Sequence, residues 1–285
     1  MKIIKSSEKN SNHKKVISLA MGMFDGLHIG HTKLIERTVQ ISHEQKYEGY
    51  EGCGVYTFDV HPKTVFAPES SPQLITTNEN KFKLFEKLGI DVVFIQNFNI
   101  EIASMEPFAF VKDILVEKIR PKNVVVGYNY TFGNKGSGNA ELLSNMCRQY
   151  DINVEIVSPV SIEGITVSST NVRDAIIKGN MTKANMLLGR NYQINGRFDF
   201  CRSEKTQNID QVKFFVNFDN IVPCSGRYLV KIKPLNGDIL NKKYFCIIND
   251  NIFNNKQVVI SGDTDYLKKF CNLYESEILF LEKVS

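Results

Sequence analysis

Short apolar runs alternate with longer amphipathic stretches up to about residue 189. Val16 to Met21, Cys53 to Phe58, Asp91 to Phe98, Asn123 to Tyr128 and Asn153 to Val157 are rich in Val, Ile and Phe, as suits strands of a parallel sheet covered on both faces. Between them lie helical patterns: His31 to Glu44, Glu79 to Leu88 stopped by Gly89, Pro107 to Ile119 with proline in its first turn, and Asn139 to Tyr150. This order predicts an α/β fold with a doubly wound parallel sheet, whose ligands bind beyond the carboxyl ends of the strands. After Val167 come two short helical patterns, Thr170 to Lys178 and Thr182 to Leu188, ended by Gly179 and Gly189. From Arg190 onward the pattern reads as strands: Gln211 to Phe218, Gly226 to Lys233, Lys243 to Ile248, Gln257 to Ser261 and Glu277 to Leu281. Turn residues separate them, which predicts a smaller β-barrel domain. The expected organisation is an α/β domain over 1–189 and a β domain over 190–285.

Composition narrows the function. With 42% hydrophobic and 23% charged residues in 285, the chain has ample material for a core, which excludes disordered and collagen-like classes. No stretch approaches the roughly 18 to 20 apolar residues of a membrane helix, and Met1 to Lys15 is polar and lysine-rich without an apolar block. A cytoplasmic protein with no membrane partner is expected. The six cysteines are scattered, with no CxxC pair and no metal-ligand spacing to histidine. They read as reduced, mostly buried thiols, and no protein metal site is expected. The formal charge of +4 is mild and its lysines and arginines are interspersed with acids. That balance suits a pocket for nucleotide phosphates better than a nucleic-acid surface.

Four segments carry the candidate chemistry. Gly22-Met-Phe-Asp-Gly-Leu-His28-Ile-Gly-His31 follows the first predicted strand and opens a helix. Its glycines allow close backbone approach, the amides at the helix start face an anion, and His28 and His31 point to the same phosphates. A plain tight turn and a metal pair are the alternatives; no third ligand lies nearby. In Thr57-Phe-Asp-Val-His61-Pro62, with Phe66 beyond, Phe58, His61, Pro62 and Phe66 offer an aromatic and rigid surface for a flat ring, or else a buried Phe pair beside a turn. In Gly127-Tyr-Asn129-Tyr-Thr-Phe132-Gly133, Asn129 supplies both a donor and an acceptor, or simply a turn. Ser168, Ser169 and Thr170 can cap the next helix, and Arg173 can fork onto phosphate oxygens or lie in solvent.

The first segment resembles the HxGH signature of nucleotidyltransferases and class I aminoacyl-tRNA synthetases. The four segments in this order resemble the bacterial FAD synthetase family, usually a bifunctional riboflavin kinase and FMN adenylyltransferase. The resemblance covers nearly all of residues 16–198; Val60 stands where the family usually has proline. It implies a Rossmann-like nucleotidyltransferase domain using ATP and FMN, with Mg2+ accompanying ATP. Catalytic roles are implied for His28, His31 and Arg173. ATP contacts are implied for Gly22, Phe24, Asp25, Gly26, Gly30, Gly127, Ser168, Ser169 and Thr170, and flavin contacts for Phe58, His61, Pro62, Phe66, Asn129 and Phe132.

The resemblance weakens toward the end of the chain. Ile194 to Phe198, Pro223-Cys-Ser-Gly226-Arg-Tyr228 and Asn272-Leu-Tyr274 are similar to strands of the riboflavin kinase barrel. The family's kinase, however, carries a glycine-rich loop followed by Pro-Thr-Ala-Asn. Cys201 to Gln211 here has no glycine and no Pro-Thr pair, and the glutamate expected near Gln257 to Ser261 is not evident. The expectation is therefore adenylyl transfer without kinase activity. Two other readings stay open: an HxGH nucleotidyltransferase acting on a pantetheine or pyridine nucleotide, and a flavin-binding regulator without turnover.

Overall fold

The computed structural model describes residues 1–6, 15–60, 62–66, 72–206, 209–216, 220–234, 237–249, 257–271 and 275–284. The chain divides into two compact units: Met1–Pro72 with Asn78–Thr166, and Gln73–Thr77 with Val167–Ser285.

The first unit is built on a six-stranded parallel sheet. Its strands are β1 (Lys2–Lys5), β2 (Ser18–Met21), β3 (Cys53–Phe58), β4 (Val92–Gln96), β5 (Asn123–Gly127) and the strand Asn153–Val157, in the order β1-β4-β3-β2-β5 and then Asn153–Val157. Alternate side chains enter two separate cores, as the pleat dictates. Leu19, Met21, Tyr56, Phe94, Val124 and Val126 face one core with Phe110, Ile114, Leu115 and Leu143. Ala20, Val55, Val93, Ile95 and Val125 face the other with Leu34, Ile35 and Phe85. Both faces are thus apolar, which is why the strands read as continuous apolar runs.

Helix α1 (Ile29–Glu44) follows β2 directly, α2 (Pro62–Phe66) follows β3, and α3 (Asn78–Lys87) precedes β4. Pro107 opens an α-turn, Pro107–Ala109, that continues as a π-helical stretch, Phe110–Ile119. From β2 the chain winds outward through β3 and β4, then returns to the other side of β2 with β5. This reversal makes a switch point between β2 and β5, where α/β sheets bind their ligands.

The second unit is a closed antiparallel barrel with three helices among the described residues, one of them Thr264–Cys271. Around the barrel the strands run Tyr192–Thr206, Ile209–Val216, Gln257–Ser261, Tyr244–Ile248, Gly226–Pro234 and Glu275–Val284, which returns to the first. The helices Ser169–Ile177 and Met181–Leu188 belong to this unit. Asn185 ties the second of them to the barrel: its Nδ2 donates to the carbonyls of Phe280 and Leu281, and its Oδ1 accepts from the Tyr192 N–H. The compact units therefore part between Thr166 and Val167, ahead of residue 190 where the strand pattern begins. The short segment Gln73–Thr77 joins the second unit for a similar reason. The Leu74 carbonyl accepts from Ile221 N–H at 2.9 Å, the Ile75 carbonyl from Asn220 Nδ2 at 3.1 Å, and Thr76 Oγ1 from Arg190 Nη2 at 3.3 Å. Burial lowers the Arg190 pKa to about 10.

Candidate active site

At the switch point the loop after β2 enters α1 through a strained turn. Phe24, Gly26 and Leu27 have φ of 53, 81 and 39°, left-handed values that an ordinary side chain resists and that persist only where the surroundings over-determine them. Phe24 is wholly buried; its ring meets Phe85 edge-on at 5.5 Å and the His31 ring at 5.3 Å. It shapes the loop from beneath. A Cβ at Gly22 would stand 3.2 Å from the buried Phe24 ring, a tight contact that glycine avoids.

His28 is the N-cap of α1, with its Nδ1 accepting the His31 N–H at 3.2 Å. The ring is 6% exposed. An Nδ1 that accepts places the proton of a neutral ring on Nε2, which makes Nε2–H the donor edge of the ring. The His28 and His31 rings stack at 3.7 Å and 12°. The first turn of α1 contains no acidic residue, and the amides of Ile29 and Gly30 have no acceptor within the helix. A helix end of this kind carries the positive pole of the dipole and suits a phosphate.

Beneath the loop lies a residue that motif reading missed. Lys81, on α3, is 3% exposed, and its Nζ donates to the Met23 carbonyl at 3.4 Å; Thr57 Oγ1 donates to the same carbonyl at 3.3 Å. Burial lowers the Lys81 pKa to about 8, with nearby Asp25 and then Asp59 opposing the shift. One signal was available: Lys81 lies four residues before the core residue Phe85, on the buried face of its helix. Between about 8 and the ordinary lysine value of 10.5, the unfolded chain holds a proton that the folded chain has lost, so stability rises with pH in that window. Urea unfolding at pH 8 and 9.5 should show Lys81→Met lacking part of the rise seen in the parent protein.

The second and third motifs end β3 and β5. Phe58 is half-buried, 4.8 Å edge-on from Phe98 and 5.8 Å from Tyr56. Pro62 opens α2 and is half-buried; His61 and the Phe66 side chain lie outside the described residues. Asp59 joins the loops after β3 and β4 by accepting from Asn97 Nδ2 at 2.7 Å and Phe98 N–H at 2.9 Å. Asn129 is exposed just past β5, and its Oδ1 lies 3.3 Å from where a Gly127 Cβ would stand, so glycine leaves that side chain its place. Phe132 is 6% exposed, 5.4 Å from Phe110 and 5.9 Å from Tyr130; in this structure it is a core residue. The structure thus brings the histidine loop, Phe58 and Asn129 to the strand ends, with Phe132 packed behind.

The fourth motif belongs to the second unit. Ser168 Oγ accepts the Asn171 N–H at 3.2 Å and caps the helix Ser169–Ile177. Thr170 is exposed, Ser169 half-buried, and Arg173, half-buried one turn in, donates through Nη1 to the Gln73 carbonyl. Among the described residues there is no group of three or more His, Cys, Asp or Glu that could hold a metal, and no helix long and apolar enough to cross a membrane. Cys53, Cys147 and Cys246 are buried free thiols and Cys224 is a partly exposed one; burial raises the first three, Cys53 to about 11, Cys147 to about 12 and Cys246 higher still. The side chains of Cys201 and Cys271, and residues Asn272 to Tyr274, lie outside the described residues.

A parallel sheet that feeds a strained glycine-bounded turn into a helix headed by two stacked histidines defines an HxGH nucleotidyltransferase. The sequence comparisons narrow the class. The FAD synthetase family model matches residues 9–171. A bifunctional riboflavin kinase/FMN adenylyltransferase from Listeria monocytogenes is 31% identical, over 77% of this chain and 68% of that protein. One from Buchnera aphidicola subsp. Schizaphis graminum is 30% identical, over 99% and 90%. The chain belongs to the FAD synthetase family. A crystal structure titled macrolide-efflux protein from Streptococcus pneumoniae superposes with a TM-score of 0.81 at 21% identity, covering 99% of this chain and 90% of that one. At that identity the likeness is one of fold.

Proposed function

We propose that the protein transfers the AMP moiety of ATP to FMN, giving FAD and pyrophosphate, and that it lacks riboflavin kinase activity. The observation that carries the first part is the His28-capped start of α1 at the switch point of a FAD synthetase sheet. An oxygen of the FMN phosphate attacks the α-phosphorus of MgATP in line; that O–P bond forms as the bond from the α-phosphorus to the bridging oxygen breaks, and pyrophosphate leaves. A phosphate monoester with a second pKa of about 6 is largely dianionic at pH 7, so no strong base is needed. Catalysis is positioning and charge stabilisation. His28 Nε2–H, the His31 ring and the Ile29 and Gly30 amides answer charge on the α- and β-phosphates. Gly22, Phe24, Asp25, Gly26 and Gly127 shape the nucleotide side. The phosphate role of Ser168, Ser169, Thr170 and Arg173 rests on their motif, and the flavin role of His61 and Phe66 likewise. Magnesium enters with ATP; as a hard cation it keeps several waters and needs no protein cage.

The test is direct: pure protein with FMN and MgATP should yield FAD and pyrophosphate in equal amounts. Absence of both, with flavin binding intact, would favour a flavin-binding regulator. Pantetheine phosphate or nicotinamide mononucleotide as the better acceptor would favour another HxGH enzyme.

The absence of kinase activity is supported by the barrel. The strands Tyr192–Thr206 and Ile209–Val216 remain paired through Glu204↔Gln211, Lys205↔Asp210 and Thr206↔Ile209. Within the segment where the family's kinase carries a glycine-rich loop, the described residues 204–206 and 209–211 are paired in a β-ladder. Riboflavin with MgATP should accordingly give no FMN on chromatography; steady accumulation of FMN would overturn this part alone.

Asn129 and Phe132 separate binding from packing. Asn129→Ala should raise the FMN dissociation constant several-fold, the scale of a lost hydrogen bond of about 1 kcal/mol, with an unchanged melting temperature. Phe132→Ala should melt much lower, since truncating a buried aromatic costs about 3 to 5 kcal/mol. Calorimetry with FMN and melts without ligand check both.

A further inference from the structure

We propose that Lys81 is a positioning residue for adenylyl transfer: from α3 it clasps the Met23 carbonyl, holds the strained turn that leads into α1, and keeps a positive charge beneath that turn. The proposal rests on the reading of the first unit as the transfer site. Its first support is geometric. Met23 precedes the three left-handed residues Phe24, Gly26 and Leu27, and its carbonyl receives both Lys81 Nζ and Thr57 Oγ1. One turn further along α3, Phe85 packs edge-on against Phe24. The helix therefore grips the turn twice, at its carbonyl and at its ring. A turn with two non-glycine residues at positive φ stays in place only while such grips hold it. The His28 cap, the stacked His31 ring and the α1 amides all follow from that turn, and a shift of about 1 Å in reacting groups can cost on the order of 100-fold in rate.

The second support is that Lys81 is a poor choice for stability. Its ammonium is buried, which costs more than burying an apolar chain of the same length. It also lies in the first turns of α3, where the helix dipole disfavours a cation. The acids facing it are Asp25 from the turn itself and Asp59 from the loop after β3, and their attraction is smaller than the cost of burial. A position shaped by packing alone would be better filled by methionine. The charge has a use outside folding, and what lies over it is the turn that meets the nucleotide.

The experiment compares the full-length parent protein with Lys81→Met, Lys81→Arg and Thr57→Val. Three readouts are needed: thermal melts, amide hydrogen exchange of the Gly22 to His28 segment without ligand, and kcat with KM for ATP and FMN. Lys81→Met is expected to melt at or above the parent, to exchange faster in that segment, and to lose on the order of 100-fold in kcat, with the KM for FMN within about twofold because the flavin end is untouched. Lys81→Arg restores a large part of the rate, since a guanidinium reaches the same carbonyl and keeps the charge. Thr57→Val, which removes the other donor, gives a smaller loss in the same direction. Unchanged exchange in the Gly22 to His28 segment of Lys81→Met overturns the proposal whatever the activity does. So does a Lys81→Met protein whose rate loss tracks a lower melting temperature and is not relieved by Lys81→Arg. A parent protein without adenylyl transfer would sink the functional reading instead, and the exchange data would still decide whether Lys81 holds the turn.

Discussion

His28→Asn and His31→Ala each lower kcat for FAD formation by on the order of 100-fold or more, while FMN binding changes little. The size follows from the role: removing one preorganised donor to charge that develops in the transition state typically costs 100- to 1000-fold. Asparagine is chosen at position 28 because the His28 ring does two jobs. Its Nδ1 caps α1 by accepting from His31 N–H, and its Nε2–H is the donor proposed to meet phosphate. Alanine would remove both, and loss of a cap alone costs about 1 kcal/mol. Asparagine Oδ1 can keep the cap while nothing replaces Nε2–H, so His28→Asn should melt like the parent and still lose the rate. At position 31 the stacked ring and its edge contact with Phe24 make a modest loss of stability acceptable, provided FMN titration shows a folded site. Near-parental turnover in both variants would remove the pair from catalysis.

Four of the six sheet strands were legible because their side chains alternate between two apolar cores, which leaves a continuous run rich in Val and Ile; the edge strand Asn153–Val157 was legible from its Val and Ile although none of its residues is fully buried. The sixth, β1, was not. Lys2-Ile-Ile-Lys5 is four residues long, of which only Ile4 is buried, and its pairing with β4 is a long-range fact that no local pattern carries. The helix Thr264–Cys271 and the length of the strand Tyr192–Thr206 were hidden among polar residues in the same way. At the site, the histidine turn was legible because its chemistry is concentrated in ten consecutive residues. Lys81 was not, because its function depends on Met23 and Asp25, far away in the chain, and only its place on the buried face of α3 hinted at it. Phe132 shows the reverse case, where the motif suggests a ligand contact and packing against Phe110 and Tyr130 puts the ring in the core.

Gly196→Ala should unfold the barrel unit and abolish adenylyl transfer with it. Gly196 lies in the strand Tyr192–Thr206, paired with Val216 on one side and Ser276 on the other. A Cβ added there would stand 2.0 Å from the Phe215 carbonyl oxygen and 2.5 Å from the Phe214 ring. The obstacle is backbone held by a closed ladder, which no side-chain rotation relieves. A cost above about 4 kcal/mol is expected from such overpacking, against a total of about 5 to 15 kcal/mol for a typical domain. The consequence for activity depends on where the functional boundary lies. If residues 1–189 act as an independent domain, the variant should still make FAD, because the barrel begins beyond them. The packing argues otherwise: Met181–Leu188 is fastened to barrel strands through Asn185, and Ser169–Ile177, which carries Arg173, belongs to the same compact unit. Losing the barrel should therefore loosen the helix that holds Arg173. The discriminating measurement pairs FAD formation with amide exchange in Ser168 to Lys178 for Gly196→Ala. Retained turnover with protected amides in that helix would place the functional boundary at residue 190, whereas joint loss places it near Val167.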